Sequence, residues 1–282
     1  MPEGPEVKLT VDHISRYTKN HEIKDIEIIG GRYTRHKAPD NYLKFRKIMK
    51  ESNFKIKTVF AKGKGIFFEL KNKKKKYFIY NTLGMSGGWA GVKNKYSTIV
   101  FKLENSKTKK TKNLFFWDIR NFGIIRFFDK KEDYEKKINS IGPDMLNDKT
   151  TFNIFLKRMK IPKFQKKTLA EALMNQQLIS GVGNYIKCEA LYLSKLSPHR
   201  ILSSLNLNEL KFLFHAIKTV IIKSYEMQGN TIRTYSNFNN ERGNYQNLLK
   251  VYMKKKDPKG CDVIRQKTKD KRSTFWVPDI QK

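Results

Sequence analysis

Cysteine is scarce in this chain of 282 residues: Cys188 and Cys261 are the only two, far apart and without a C-x-x-C pair. Their scarcity excludes a disulfide scaffold, and four cysteine-rich zinc ligands cannot be gathered from this chain. Acidic side chains are also few. The 26 Asp and Glu stand against 59 Lys and Arg, leaving a formal net charge of +33. A surplus of that size exceeds what solubility requires and points to a polyanionic partner, nucleic acid first. No apolar run approaches the roughly 20 residues that span a bilayer, and no isolated basic amphipathic segment offers a membrane anchor. The opening MPEGPEVKLT lacks the basic start and apolar run of a secretory signal. An intracellular protein that stays off membranes is expected. Its 39% hydrophobic content suffices for one large core or two ordinary ones.

The apolar residues change period along the chain. Between Lys24 and Asp129 they fall in short β-branched and aromatic bursts, DIEII, FKIKTVF, IFFEL, YFIY, STIVFKL, NLFFW and GIIRFF. That spacing predicts an antiparallel β-sandwich. Ahead of it, Pro5 followed by Val7, Val11 and Ile14 on one face predicts a helix of about three turns. Beyond Gly142-Pro143 the pattern turns helical, through TFNIFLKRM, TLAEALMNQQLI, NYIKCEALYLSKL and residues 208–227. KVYM and STFWV then suggest a closing hairpin. The fold class is therefore α+β, with expected divisions at 1–135 (helix and sandwich), 136–247 (helical) and 248–282 (hairpin).

Pro2 carries distinctive chemistry. Removal of the initiator methionine would leave a free secondary amine, whose neutral fraction rises if cationic groups or a helix N-terminus lower its pKa. Attack on a sugar aldehyde carbon would give an iminium ion with no N–H proton to lose, an electron sink that favours elimination at the neighbouring carbon. Glu3 and Glu6 stand beside that amine and could move protons. Taken alone, the same residues also read as a proline-rich lead-in with helix-capping acids.

Further strings recur in order: AKGKGIFFEL, LGMSG, WDIRNFG, SGVGNYI, TIRTY, VYMKKKDP and RSTFW. With PEGPEV at the start, they make the chain resemble the formamidopyrimidine-DNA glycosylase and endonuclease VIII family of base-excision enzymes over almost its whole length. The resemblance implies a bifunctional glycosylase and abasic-site lyase, acting without a cofactor, as a monomer, on double-stranded DNA with oxidised bases or abasic sites. It implies that Pro2 is the nucleophile and Glu3 the acid/base residue. Glu6 would shape the lesion pocket, and Arg233 would lie on a lesion-facing loop. Lys64 would hold a phosphate, with Lys62 close enough to compete. Met85, Arg120 and Phe122 would fill the space left by a turned-out nucleotide, a task suited to apolar wedges and an arginine donor.

By the same resemblance, SGVGNYI is the turn between paired helices, with Asn184 capping the second and contacting phosphate, and Arg272 is a further phosphate ligand. Val277 and Ile280 stand where the family's metal-binding cysteines would fall. The ending therefore resembles the family's zincless finger, in which packing of Val251, Tyr252, Phe275 and Trp276 replaces the metal. That ending and the NYI string resemble the endonuclease VIII branch, which favours oxidised pyrimidines and further-oxidised guanine products over intact 8-oxoguanine as substrates. A DNA-binding module without catalysis, or a basic RNA-associated protein, would also explain the charge, but not Pro2 and the ordered strings together.

Overall fold

The computed structural model describes residues 1–73, 75–230 and 243–282. Arg233 lies outside them. Two compact units divide the chain near residue 140: the first holds residues 1–2, 6–139 and Gly243, and the second holds residues 3–5, 140–230 and 244–282.

The first unit is built around eight strands: β1 (His21–Ile28), β2 (Phe54–Lys62), β3 (Gly65–Lys71), β4 (Lys76–Thr82), β5 (Gly87–Ala90), β6 (Ser97–Asn105), β7 (Thr111–Asp118) and β8 (Ile124–Phe128). They pair in the order β5-β7-β6-β1-β2-β3-β4-β8, and every pairing is antiparallel. The expected sandwich is thus one hydrogen-bonded sheet, continuous through a short seam of two residue pairs, Glu22 with Lys55 and Ile23 with Phe54. The sheet doubles over on its aromatic residues. Phe68 of β3 meets Phe101 of β6 at 6.0 Å and Trp89 of β5 at 5.6 Å between ring centroids, spacings at which aromatic pairs attract. Trp89 Nε1 donates to Asn81 Oδ1 of β4 at 3.0 Å, so the buried indole leaves no unmet donor.

Helix α1 (Gly4–Thr18) is longer than its apolar spacing suggested, and it buries Val7, Val11 and Ile14 in the sheet core as expected. The strand pattern concealed two helices, α2 (Arg32–Arg35) and α3 (Tyr42–Glu51), and a further helix, α4 (Lys131–Asn139), follows β8. In α3, Tyr42, Phe45 and Met49 form a buried stripe at helical spacing. Arg46 on the same helix binds Asp25 at 3.1 Å and Glu27 at 2.8 Å. Burial raises the Asp25 pKa, but hydrogen bonding and the Arg46 charge outweigh it and hold the carboxyl below its usual range. Strand β5, with the sequence GGWA, was also missed, because its glycines carry no β signal.

The second unit contains α5 (Phe152–Met159), α6 (Leu169–Met174), α7 (Asn184–Leu193) and α8 (Leu207–Glu226). Thr151 caps α5, and capping boxes at Thr168 and Asn206 start α6 and α8. Their buried faces share one core that includes Phe155, Leu173, Ile186, Leu213 and Ile217. The hairpin is formed by β9 (Ile264–Lys267) and β10 (Ser273–Trp276), so KVYM is not its first strand. The amides of Lys250, Val251 and Tyr252 instead donate to the buried Glu189 carboxylate of α7 at 2.7–3.0 Å, which takes them out of any ladder. Burial raises the Glu189 pKa despite these three donors. Val251, Phe275 and Val277 pack against Cys188 and Tyr192 of the same helix, whereas Trp276 is only half-buried, with its indole on Gln266 and His199.

Cys188 accepts a hydrogen bond from the Phe275 amide, and burial pushes its thiol pKa up to about 12. A thiolate is the reactive form. In the native protein at pH 8, an aromatic disulfide reagent should therefore label the half-exposed Cys261 and leave Cys188 untouched until denaturant is added. Equal labelling of both thiols before unfolding would contradict this burial.

Candidate nucleic-acid interface

Glu3 is only 2% exposed, and its carboxylate sits on the N-terminus of α7. Oε1 accepts from the Tyr185 amide at 3.0 Å and Oε2 from the Ile186 amide at 3.3 Å. These are the second and third helical amides, the pair that an N-cap side chain ordinarily satisfies. Gly183 occupies the N-cap position and has no side chain to do so. A Cβ there would overlap the Glu3 carboxyl group, so the missing cap and the imported carboxylate require one another. The exposed amides and the helix dipole favour a negative charge at this place. Gly181, at φ +90°, turns the chain just before, and its carbonyl accepts from the Gly4 amide at 2.8 Å. Gln176 braces the turns between α6 and α7, accepting from the Gly181 amide and donating to the Val182 carbonyl.

Asn184 is accordingly not the helix cap expected for it. It is the first residue of α7, and its Nδ2 donates to the Ser273 carbonyl of β10 at 2.9 Å. Arg272 is half-buried next to Ser273, in the turn of the hairpin. Glu3, Asn184 and Arg272 are thus linked through one helix.

In the first unit, Met85 lies in the turn at residues 84–86, and Arg120 and Phe122 in the turn at residues 119–123. The two turns touch backbone to backbone: a Cβ on Gly84, at φ +61°, would come within 2.5 Å of the Gly123 nitrogen. Phe122 is 53% exposed, so it is not a core residue, and the Arg120 guanidinium lies 5.1 Å from its ring centre. The buried Asp118 carboxylate organises this pair of turns. It accepts from Ser86 Oγ at 2.9 Å, the Arg120 amide at 3.2 Å and the Gly123 amide at 2.6 Å. Sequence reasoning overlooked Asp118 and Ser86, although an aspartate opening D-I-R-N-F-G is a turn signal.

Lys62 Nζ donates to the Ile138 carbonyl in the last turn of α4 at 2.9 Å, where a cation is favoured. Lys64 lies in the β2–β3 turn behind Gly63, which adopts φ +58°. Pro2 is buried directly before Glu3, and Glu6 is buried in the first turn of α1. Among the described residues no group of three or more His, Cys, Asp or Glu side chains is arranged to hold a metal ion. No helix among them is long and apolar enough to cross a membrane.

The chain matches the N-terminal domain of formamidopyrimidine-DNA glycosylase over residues 1–125, its H2TH domain over 141–236 and its C-terminal domain over 244–282. The chain belongs to the formamidopyrimidine-DNA glycosylase family. Among its relatives, the formamidopyrimidine-DNA glycosylase of Listeria monocytogenes is 29% identical over the full length of both chains. That of Mycoplasma mobile is 28% identical, over 100% of this chain and 99% of its own. The crystal structure of the Thermus thermophilus family protein superposes with a TM-score of 0.82, at 25% identity over 99% of this chain and 98% of that one. A Lactococcus lactis family protein, crystallised with DNA containing an abasic site, shares the fold at a TM-score of 0.81 and 23% identity, over 99% of each chain.

Replacing Asp118 with alanine would leave the Ser86 hydroxyl and the Gly123 amide without their acceptor, while the Arg120 amide keeps Ser86 Oγ at 3.0 Å. The expected cost is about 3 kcal/mol in denaturant unfolding, from hydrogen bonds to a buried charge. A loss below about 0.5 kcal/mol, the range of ordinary surface substitutions, would mean that the two turns hold their shape without it.

Proposed function

We propose that the protein is a base-excision DNA glycosylase with abasic-site lyase activity, acting as a monomer and without a cofactor on double-stranded DNA that carries oxidised bases or abasic sites. The observation that carries this reading is the Glu3 carboxylate, fixed by two helix amides in the residue directly after Pro2. The two bonds cap α7 and at the same time fix an acid/base group beside a potential secondary amine, as proton transfer requires. The net charge of +33 supports a polyanionic substrate.

With Met1 removed, the Pro2 nitrogen attacks C1′ of the damaged nucleotide, and the base departs with the bonding electron pair and takes up a proton from water. Glu3 takes the proton from the substituted amine and returns it to the ring oxygen as the sugar opens, leaving an iminium ion at C1′. The iminium accepts the electrons released when C2′ loses a proton, and the 3′ phosphate leaves. A second elimination expels the 5′ phosphate, and water hydrolyses the iminium to free Pro2.

In this reading Glu6 and Arg233 face the lesion, Met85, Arg120 and Phe122 occupy the gap, and Lys64, Asn184 and Arg272 bind phosphates. The exposure of Phe122 supports its role, because an aromatic ring kept out of the core is free to stack in a duplex. Lys64 is the phosphate ligand in this reading, as the resemblance implies. The three divisions 1–135, 136–247 and 248–282 would then be a nucleophile-bearing part, a helical clamp and a zincless finger. Val277 and Ile280 in place of cysteines support the zincless assignment, and with it a preference for oxidised pyrimidines.

Borohydride should trap a covalent complex between the protein and lesion-bearing DNA. An additional residue left ahead of Pro2 should abolish most of that complex and of strand cleavage; undiminished trapping in the blocked protein would place the nucleophile elsewhere. Glu3→Gln should slow base removal at least tenfold more than cleavage at a preformed abasic site, and equal losses would refute the division of roles.

A further inference from the structure

The side chain of Lys187 is 0% exposed, an unusual place for an ammonium group. It projects from α7, in the residue directly after the Tyr185 and Ile186 amides that hold Glu3. Its Nζ lies 2.6 Å from Asp270 Oδ2 and 2.8 Å from Thr274 Oγ1. Asp270 is itself almost fully buried, and its other oxygen accepts from Thr268 Oγ1 at 2.5 Å and from the Arg272 amide at 3.3 Å. Thr268 in turn shares a hydrogen bond with Thr274 at 2.6 Å, and its amide donates to the Arg272 carbonyl at 3.0 Å. The cluster therefore grips the hairpin turn on both sides of Arg272. Asn184, one turn back along α7, holds the next carbonyl.

We propose that Lys187 is a positioning residue for DNA binding: through Asp270 and Thr274 it fixes the hairpin turn, so that the helix seated on Glu3 also sets the position of Arg272. The inference rests on the proposed reading of Arg272 as a phosphate ligand. A buried ion pair adds little net stability compared with well-packed apolar side chains, because desolvation offsets the attraction. It does impose geometry, since a lysine with two fixed acceptors and an aspartate with three donors admit few arrangements. Apolar packing of the hairpin against Cys188 and Tyr192 could hold the strands without fixing the turn. The polar cluster fixes the turn itself.

The test compares Lys187→Met, the double variant Lys187→Met with Asp270→Leu, Arg272→Ala, and their combinations, in the full-length protein. Binding to a duplex with a tetrahydrofuran abasic analogue is measured across a salt series, alongside thermal melting. Lys187→Met leaves Asp270 buried and unpaired, so melting should fall, and the apolar double variant should restore it. Affinity should behave differently. Lys187→Met and the double variant should both bind about tenfold more weakly, with a salt slope shallower by about one counterion, as Arg272→Ala does. Adding Arg272→Ala to the double variant should cost nothing further, the signature of two changes acting through one contact. Recovery of affinity together with melting temperature in the double variant would overturn the proposal, leaving the pair as a structural element only. So would losses that multiply when Arg272→Ala is added. Should Lys187→Met fail to fold, the double variant and Thr274→Val carry the same comparison. An Arg272→Ala variant with wild-type affinity and salt slope would instead refute the phosphate role on which the inference rests.

Discussion

The hydrogen bonds between the Glu3 carboxylate and the first amides of α7 are the constraint on which the candidate site depends. Glu3 reaches a helix that begins 181 or more residues further along the chain; its Tyr185 partner is 182 positions away. This contact explains several neighbouring choices. Gly183 has no side chain because the carboxylate fills its place, Gly181 turns the chain at positive φ, and the Gly4 amide ties the amino-terminal segment to the same turn. A helix that supplied its own cap would have no need of Glu3, and Glu3 would then lack its two fixed donors. The missing cap is what recruits the carboxylate.

The same helix organises the closing segment of its unit through polar contacts. Lys187, Glu189 and Tyr192 of α7 each bind a different part of the closing segment: the hairpin turn, the amides of residues 250–252, and the Asp257 carboxylate. A carboxylate that accepts several amides supplies what a tetrahedral metal otherwise would, a point of high valence toward which backbone converges. Asp257 repeats the device on a smaller scale, taking the amides of Lys259 and Cys261. In the other unit, Asp118 does the same for the turns that carry Met85, Arg120 and Phe122. Buried carboxylates are costly unless their lone pairs are met, and here the donors that meet them are backbone groups of irregular segments that no strand or helix would satisfy.

Local periodicity carried most of the fold. The seven apolar bursts became β1–β4 and β6–β8, and the helical patterns after residue 150 became α5–α8. The errors have separate causes. Segment α3 was hidden by its position among strands, though Tyr42, Phe45 and Met49 are spaced as a helix. Strand β5 carries only Trp89 as a β-former. KVYM has strand-like residues, but its amides are claimed by Glu189, a competitor that local propensity does not register.

By itself the sequence determined the basic character of the protein, the helix-sheet-helix order, the lack of a cysteine-rich metal site, and the ordered strings from PEGPEV to RSTFW that mark its family. These are properties of composition and of short windows, in which the side chains that matter are neighbours along the chain. Tertiary structure alone decided that Glu3 caps α7 in place of Asn184, that Lys62 is engaged by the end of α4, that Asp118 joins two turns, and that Lys187 is buried against Asp270. Each of these pairs a charged side chain with a distant backbone group or counter-charge. Periodicity shows which residues leave water, but the partner that makes burial of a charge tolerable is specified only when the chain has folded.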